Sequence, residues 1–217
     1  MHGFLGPQSK HKVTFDSLFF ELAPVTHIHF NFRYTETILD FDGSGPLPPF
    51  MARCEFLPGK NATYIRHLNE EATKVDGFDE KGSFEQTIHY AAPLEVIETL
   101  IESSVSCSQH LAYECKQSRL LNSKLDATNA TNFSPYGYWK SRTGQIMDFW
   151  AGGSPGSFQC ECGKTKKCFD NSKSCNCDSG HDDWLWDGGD ITFKEFLPVK
   201  SLHFGDTGNP LDGKEGR

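Results

Sequence analysis

Five of the eight cysteines lie within eighteen residues, at positions Cys160, Cys162, Cys168, Cys175 and Cys177. Thiols at this density form disulfides, hold a metal such as zinc, or remain as buried free thiols. The residues between them are mostly Gly, Lys, Asn, Asp and Ser, which bury too little apolar surface to order a chain by packing alone. The segment therefore needs a covalent or metal cross-link.

Two Cys-x-Cys pairs can in principle hold zinc through four thiolates, but zinc sites usually place two to four residues between paired cysteines. Here one residue separates each pair, and Cys168 lies between the pairs. We therefore predict that the chain forms disulfides, with zinc and free thiols as the alternatives. The prediction covers the five cysteines above together with Cys54, Cys107 and Cys115. Eight cysteines allow 105 pairings, so the connectivity stays open.

Carboxylates offer a second kind of chemistry. Asp182, Asp183, Asp187 and Asp190 are weak candidates for a calcium site, with a solvated acidic loop as the favoured alternative. The stretch 40–46 begins like a calcium loop, but its glycine falls at the fourth position instead of the sixth, so we predict only a turn. His27 and His29 alternate on a predicted strand and are better explained by an exposed strand face than by a metal. We predict no cofactor, with calcium as the possible exception.

The chain shows no G-x-S-x-G, no H-E-x-x-H and no phosphate-binding loop. Ser154 lies in a glycine-rich loop, but Pro155 follows it and removes the amide that would serve an oxyanion. We predict that the protein is not an enzyme.

Three N-x-S/T triplets, at Asn61, Asn129 and Asn132, lie in polar, turn-rich stretches where an attached glycan would meet water. Chance occurrence is the alternative. Together with the cysteines, these candidate glycosylation sites favour a secreted, extracellular protein.

Composition narrows the possible partners. The 217 residues carry a formal net charge of −8 and no basic stripe, which argues against a nucleic-acid partner. The acidic surface is either simply solvated or attracted to cations and mineral surfaces. No apolar run is long enough to span a membrane. Residues 1–12 lack the apolar region of a signal peptide, so no export signal is visible, and we expect a fragment of a secreted protein or an altered N-terminus.

Only a few elements are readable. Pro93 suits the first turn of a helix whose apolar face carries Leu94, Ile97, Leu100 and Ile101. Residues 110–115 alternate in polarity and predict a strand. Residues 60–86 are polar with turn signals, and we assign no strand there.

Several motifs together resemble one family. They are the stretch D-G-S-G-P-L-x-P-F ending at Phe50, the spacing Cys107-x7-Cys115-K-x-S-R-L, the run F-W-x-G-G-S-P from Phe149, and the C-x-C-G-x4-C-x6-C-x-C-D pattern from Cys160. This set is similar to the fibrinogen-like region of contactin-associated (neurexin IV-type) adhesion proteins. Residues 111–118 also resemble, more distantly, the C-propeptide of fibrillar collagens.

The resemblance implies an α+β, fibrinogen C-terminal-like fold with short antiparallel strands, few helices and a loop-rich, disulfide-stapled C-terminal half. It divides the chain into an atypical segment 1–37, a fibrinogen-like domain 38–208 and a polar tail 209–217. The family's early cysteine partner for Cys54 is missing, so Cys54 stays unpaired or joins the cysteine-rich segment.

For function, the resemblance implies a non-enzymatic structural or adhesion module of a secreted, matrix-type protein. Its partners would be extracellular proteins or matrix components. The alternative is a calcium-dependent, lectin-like ligand-binding domain.

Overall fold

The computed structural model describes residues 11–22, 34–57, 60–122 and 133–208. Within these ranges the chain forms eleven strands and two α-helices. The strands are β1 (Lys12–Phe15), β2 (Leu18–Leu22), β3 (Tyr34–Leu39), β4 (Phe50–Leu57), β5 (Lys60–Ile65), β6 (Thr73–Lys74), β7 (Phe84–Thr87), β8 (Ser106–Cys115), β9 (Tyr138–Lys140), β10 (Leu185–Ile191) and β11 (Ser201–Phe204). The helices are α1 (Leu94–Ser103) and α2 (Glu161–Thr165).

Strand β8 organises the larger, eight-stranded antiparallel sheet. β2 and β1 pair with its successive parts, and β10 pairs with residues 109–115. On the far side of β2 the sheet continues through β5, β4 and β3, whereas β6 adds to β1. Alternate residues of β8 point inward, as its polarity predicts, and place Leu111 and Tyr113 in the core.

A β-bulge separates β1 from β2. Phe15 pairs with Leu111 and Phe19 pairs with Ser108, so four steps along one strand correspond to three along β8. An extra residue of this kind bends a strand and increases its local twist. The bulge therefore contributes to the curl of the sheet and redirects the side chains of residues 15–19.

The smaller sheet has the order β7-β11-β9. All four residues of β11 are buried, and its Phe204 ring stacks on Tyr113 of the larger sheet at 4.5 Å between centroids. The Trp150 ring meets Phe204 edge-on at 5.8 Å. The core is thus continuous between the two sheets, and α1 contacts β2.

The predicted α+β, fibrinogen-type fold class is wrong. The described chain is mostly antiparallel β-sheet curled into a half-barrel, and its two α-helices contain only ten and five residues. The prediction followed the resemblance, whereas residues 12–22 and 60–65 form strands that only long-range partners can stabilise. The segment expected to be polar and turn-rich supplies β5, β6 and β7.

Two local predictions are confirmed. Helix α1 begins directly after Pro93 and buries Val96, Ile97, Leu100 and Ile101, although Leu94 is 46% exposed. The 40–46 stretch forms a turn in which Asp42 Oδ2 accepts a hydrogen bond from the Leu47 amide. The domain boundaries at residues 37 and 208 stay predictions, and the histidines of the predicted 27–32 strand lie outside the described residues.

Candidate functional site

Three disulfides close the cysteine-rich segment, so the prediction that the chain forms disulfide bonds is confirmed, and the structure gives a connectivity that the sequence left open. Cys162–Cys168 lies inside the loop closed by Cys160–Cys175, and Cys115–Cys177 ties the segment to the end of β8. The sequence separations are 6, 15 and 62 residues.

Buried carboxylates add a second set of links. Asp187 on β10 is 2% exposed and accepts hydrogen bonds from the Asn176 and Cys177 amides. Asp178 accepts hydrogen bonds from the Leu120 and Asn122 amides. Burial raises the pKa of Asp187 to about 7, opposed by the two amides and assisted by the nearby charge of Asp178.

Cys54 and Cys107 are buried free thiols. The predicted disulfide is therefore wrong for Cys107, whereas Cys54 is unpaired, which is one of the two alternatives that the resemblance left open. Cys54 pairs across the sheet with Thr63, Thr63 with Phe20, and Phe20 with Cys107. Two strands therefore separate the thiols, which puts their Cα atoms roughly 14 Å apart at the usual strand spacing. A disulfide needs about 4.4–6.8 Å.

The predicted metal candidates do not form a common site. Among the described residues, the one group with metal-ligand spacing is Cys160, Cys175 and Asp187, but its two sulfur atoms are bonded to each other. Asp187 accepts hydrogen bonds from backbone amides, and Asp190 is hydrogen-bonded to His110. Asp182 accepts a hydrogen bond from Gln117, and the Asp183 amide binds His181.

Of the three candidate glycosylation sites, Asn61 lies on β5, where the structure describes its backbone only. Asn129 and Asn132 lie outside the described residues. Their modification stays a prediction.

An open groove of about 660 Å³ lies on the outward face of the larger sheet. A cross-strand row forms its floor, running Glu36–Arg53–Tyr64–Phe19–Ser108 through five strands. This row directly neighbours the row that contains the two thiols. Because consecutive residues of a strand point to opposite faces, the groove side chains and the thiols lie on opposite faces of the sheet. The β1–β2 bulge supplies Phe15, Asp16 and Ser17 to the groove wall.

Rings and charges alternate within the groove. Phe19 and Tyr64 lie 5.3 Å apart between ring centroids, and the Arg53 guanidinium lies 6.0 Å above the Tyr64 ring. Arg66 donates to Glu70 at 2.9 Å, and this hydrogen bond holds the pKa of the Glu70 carboxyl below its usual value.

One set of groove residues has the composition of a catalytic triad without its geometry. His110 Nδ1 lies 2.9 Å from Asp190 Oδ1, and Ser108 lines the same groove. No hydrogen bond joins Ser108 to His110 within the described chain, and the Asp190 side chain is 62% exposed. A serine nucleophile needs a hydrogen-bonded base, so the contact between His110 and Asp190 is better explained as a solvated surface hydrogen bond.

An apolar patch borders the groove. It consists of Ile38, Met51 and Leu68, which are 65%, 51% and 83% exposed. Ile38 pairs with Met51 across β3 and β4, and Met51 and Leu68 line a depression that shares Arg53 and Arg66 with the groove. Exposed apolar groups beside aromatic and arginine side chains are typical of protein-binding surfaces.

The sequence alone did not predict the groove or the patch. The residues come from segments 15–19, 36–38, 51–70 and 108–110 and from Asp190, which only the sheet brings together. The one available signal was the F-E-L alternation at residues 20–22, which is too short to reveal a register.

No helix among the described residues is long and apolar enough to cross a membrane. No protein-family model matches the chain, and no solved structure matches it. Curated proteins do match it, among them the following two. Neurexin-4 of Drosophila melanogaster is 54% identical over 180 residues, which is 82% of this chain and 14% of that protein. Human Contactin-associated protein 1 is 35% identical over 170 residues, or 78% of this chain and 12% of that protein.

The chain thus spans about an eighth of the length of these relatives. They support the resemblance to the neurexin IV and contactin-associated proteins, without confirming a fibrinogen-like domain. The chain is therefore similar to one segment of the adhesion proteins of the neurexin IV and contactin-associated type.

Proposed function

We propose that the chain is a non-catalytic adhesion module of an extracellular protein, and that the groove with its bordering apolar patch binds a cell-surface protein. The relationship to Neurexin-4 carries the adhesion assignment, because it extends over 82% of this chain. The three disulfides support a location in an oxidising compartment.

The chemistry of the groove suggests the kind of partner. Asp16, Glu36, Glu70 and Asp190 outnumber the cations Arg53 and Arg66 in its lining. A partner segment with basic side chains would complement this excess, and its apolar side chains would cover Met51 and Leu68. Aromatic and arginine side chains at the centre would carry most of the binding energy.

Contactin-associated protein 1 is named for its association with contactin. We therefore take a contactin-type ectodomain as the partner to test first. A matrix component is the second candidate, and the excess of acidic groups in the groove favours one with a basic surface.

The test is surface plasmon resonance with the immobilised chain and a purified contactin ectodomain. Arg53→Glu at the centre of the groove and Leu68→Asp in the bordering patch should each weaken binding at least tenfold, as expected for residues that a partner buries. The control is Trp186→Ala. It removes an aromatic ring on β10 that is 55% exposed and does not line the groove, so the affinity should stay unchanged. Binding that survives both groove variants would contradict the proposal, as would absence of binding to contactin and to basic matrix proteins alike.

A further inference from the structure

A second pocket, of about 320 Å³, lies between the start of α1 and the smaller sheet. Apolar side chains form much of its wall, and two cations, Arg142 and Lys200, share it. The apolar members include Ile88, Ala92, Leu94, Ile97, Pro198 and Val199. This volume is at the small end of the range for ligand pockets, about 300–1,000 Å³.

One nitrogen of the Arg142 guanidinium lacks an acceptor. Its Nη1 atom is buried and has no hydrogen-bond partner among the described residues. Glu98 does not serve that atom, because its Oε1 lies 4.0 Å from Nε, at the outer limit of an ion pair. A buried guanidinium nitrogen without an acceptor is costly, since charged groups lose the most when left unpaired.

Two further features favour a negative group at this place. Lys200 is exposed and lines the same pocket. The first turn of α1 faces the pocket through Leu94 and Ile97, and no side chain caps its amides. Unpaired amides and the helix dipole add to the attraction for an anion.

The pocket wall is held rigidly by a closed ring of hydrogen bonds. Gln109 Nε2 donates to the Tyr90 hydroxyl, which donates to the Val199 carbonyl, while the Val199 amide donates to Gln109 Oε1. These contacts are 2.9, 2.8 and 3.1 Å long. A preformed pocket needs little ordering on binding, so even a small ligand can bind there.

We propose that this pocket binds a carboxylate attached to a small apolar group, with Arg142 and Lys200 on the carboxylate and Ile88, Leu94 and Val199 around the apolar part. A planar carboxylate matches the fork of an arginine. The apolar walls exclude a bare inorganic anion as the best ligand, because nothing would cover them. Such a group occurs in free organic acids and at the C-terminus of a polypeptide that ends in an aliphatic residue.

The test uses N-acetyl-leucine and its uncharged amide as probes, with binding followed by NMR titration of the backbone amides in α1. The acid should saturate the site, and the amide should bind at least roughly tenfold more weakly, since it lacks the charge. Equal binding of the two, or no saturation by the acid, would overturn the proposal.

Arg142→Met and Lys200→Met keep the aliphatic stems and remove the charges. Each should weaken acid binding about tenfold and leave amide binding unchanged. Lys200→Met is the safer variant for folding because Lys200 is exposed. Arg53→Met, in the groove, is the matched control and should change neither affinity. Wild-type affinity for the acid in Lys200→Met and Arg142→Met would assign the carboxylate elsewhere.

A tripeptide that ends in leucine distinguishes the two sources. Tighter binding than N-acetyl-leucine, lost on C-terminal amidation, identifies a chain terminus as the ligand. Weaker binding identifies a free small acid.

Discussion

Asp187 on β10 accepts a hydrogen bond, 2.8 Å long, from the backbone amide of Cys177. The adjacent Asn176 amide donates to the other carboxyl oxygen at 3.0 Å. Asp187 is a weak calcium candidate by sequence, but its carboxyl group instead fixes the cysteine-rich segment on the larger sheet. This finding makes Asp187 a structural residue whose loss is measurable.

Asp187→Ala should lower the free energy of unfolding by about 2–4 kcal/mol, because two amides of the segment lose their acceptor. Urea denaturation measures the loss. Asp190→Ala is the matched control on the same strand, since its side chain is 62% exposed and its removal should cost about 0.5 kcal/mol or less. Equal losses in the two variants would show that the buried contacts do not matter.

Stability should also depend on pH through Asp187, whose pKa burial raises to about 7. Between about pH 4 and 7 the folded state keeps a proton that the unfolded state has lost, so rising pH removes stability in this window. The contribution of Asp187 to the free energy of unfolding falls by at most about 1.4 kcal/mol per pH unit.

In Asp187→Asn the side chain does not titrate, so this pH dependence is lost. The free energy of unfolding of the variant, minus that of the wild type, should therefore rise from pH 4 to 7 and then level off. Urea denaturation of both proteins at several pH values measures this difference in the free energy of unfolding. The other carboxyl groups contribute equally to both proteins, so their contributions cancel. Parallel curves would exclude a raised pKa.

The three disulfides should differ in their contributions. Loop-closure entropy predicts losses of about 4, 3 and 2 kcal/mol when both cysteines of a pair become serine, because the bonds close loops of 62, 15 and 6 residues. Cys115–Cys177 should thus matter most. Chemical denaturation of the three double variants tests the order, and the largest loss from Cys162–Cys168 would contradict it.

Cys54 and Cys107 should resist alkylation in the folded protein and react at once in denaturant, with two thiols labelled per chain. Burial raises the pKa of Cys54 and raises that of Cys107 to about 11, so the reactive thiolate is scarce at neutral pH. Intact mass after labelling counts the thiols, and Cys54→Ser is the control that should lower the count by one. Labelling of no cysteine in denaturant would mean that both are oxidised.

Removal of calcium should not change the melting temperature measurably. The four candidate aspartates contact backbone amides, histidine and glutamine side chains at separate places, so they do not form one common site. A ligand that binds only the folded state would raise the melting temperature. Melts in calcium and in chelator provide the comparison. A shift of several degrees would instead favour the calcium-dependent, lectin-like alternative.

The sequence predicted features that lie within one helix or strand, but not contacts between residues far apart in the chain. Pro93 and the apolar spacing after it identified α1, and alternation identified the end of β8, because both signals lie within one element. The disulfides followed from the density of cysteines. The thiols of Cys54 and Cys107 could not be separated from the rest, because their distance depends on Phe20 and Thr63 on the two strands between them.

The groove was hidden for the same reason. Arg53, Tyr64 and Phe19 belong to three strands, and their alignment depends on the register of each pair and on the bulge between β1 and β2. A single sequence contains no signal for this register. The fold class was wrong because a resemblance in motifs carried no information on how many long-range strand pairs the chain would form.

Strand β8 lies between the early strands β1 and β2 and the late strand β10. During synthesis, residues 12–22 and 106–115 emerge well before residues 185–191, so one edge of β8 stays open for that interval. An open edge is a template for pairing with other chains. We therefore expect nascent or truncated chains that lack β10 to aggregate, and a holding chaperone would be needed until translation passes residue 191.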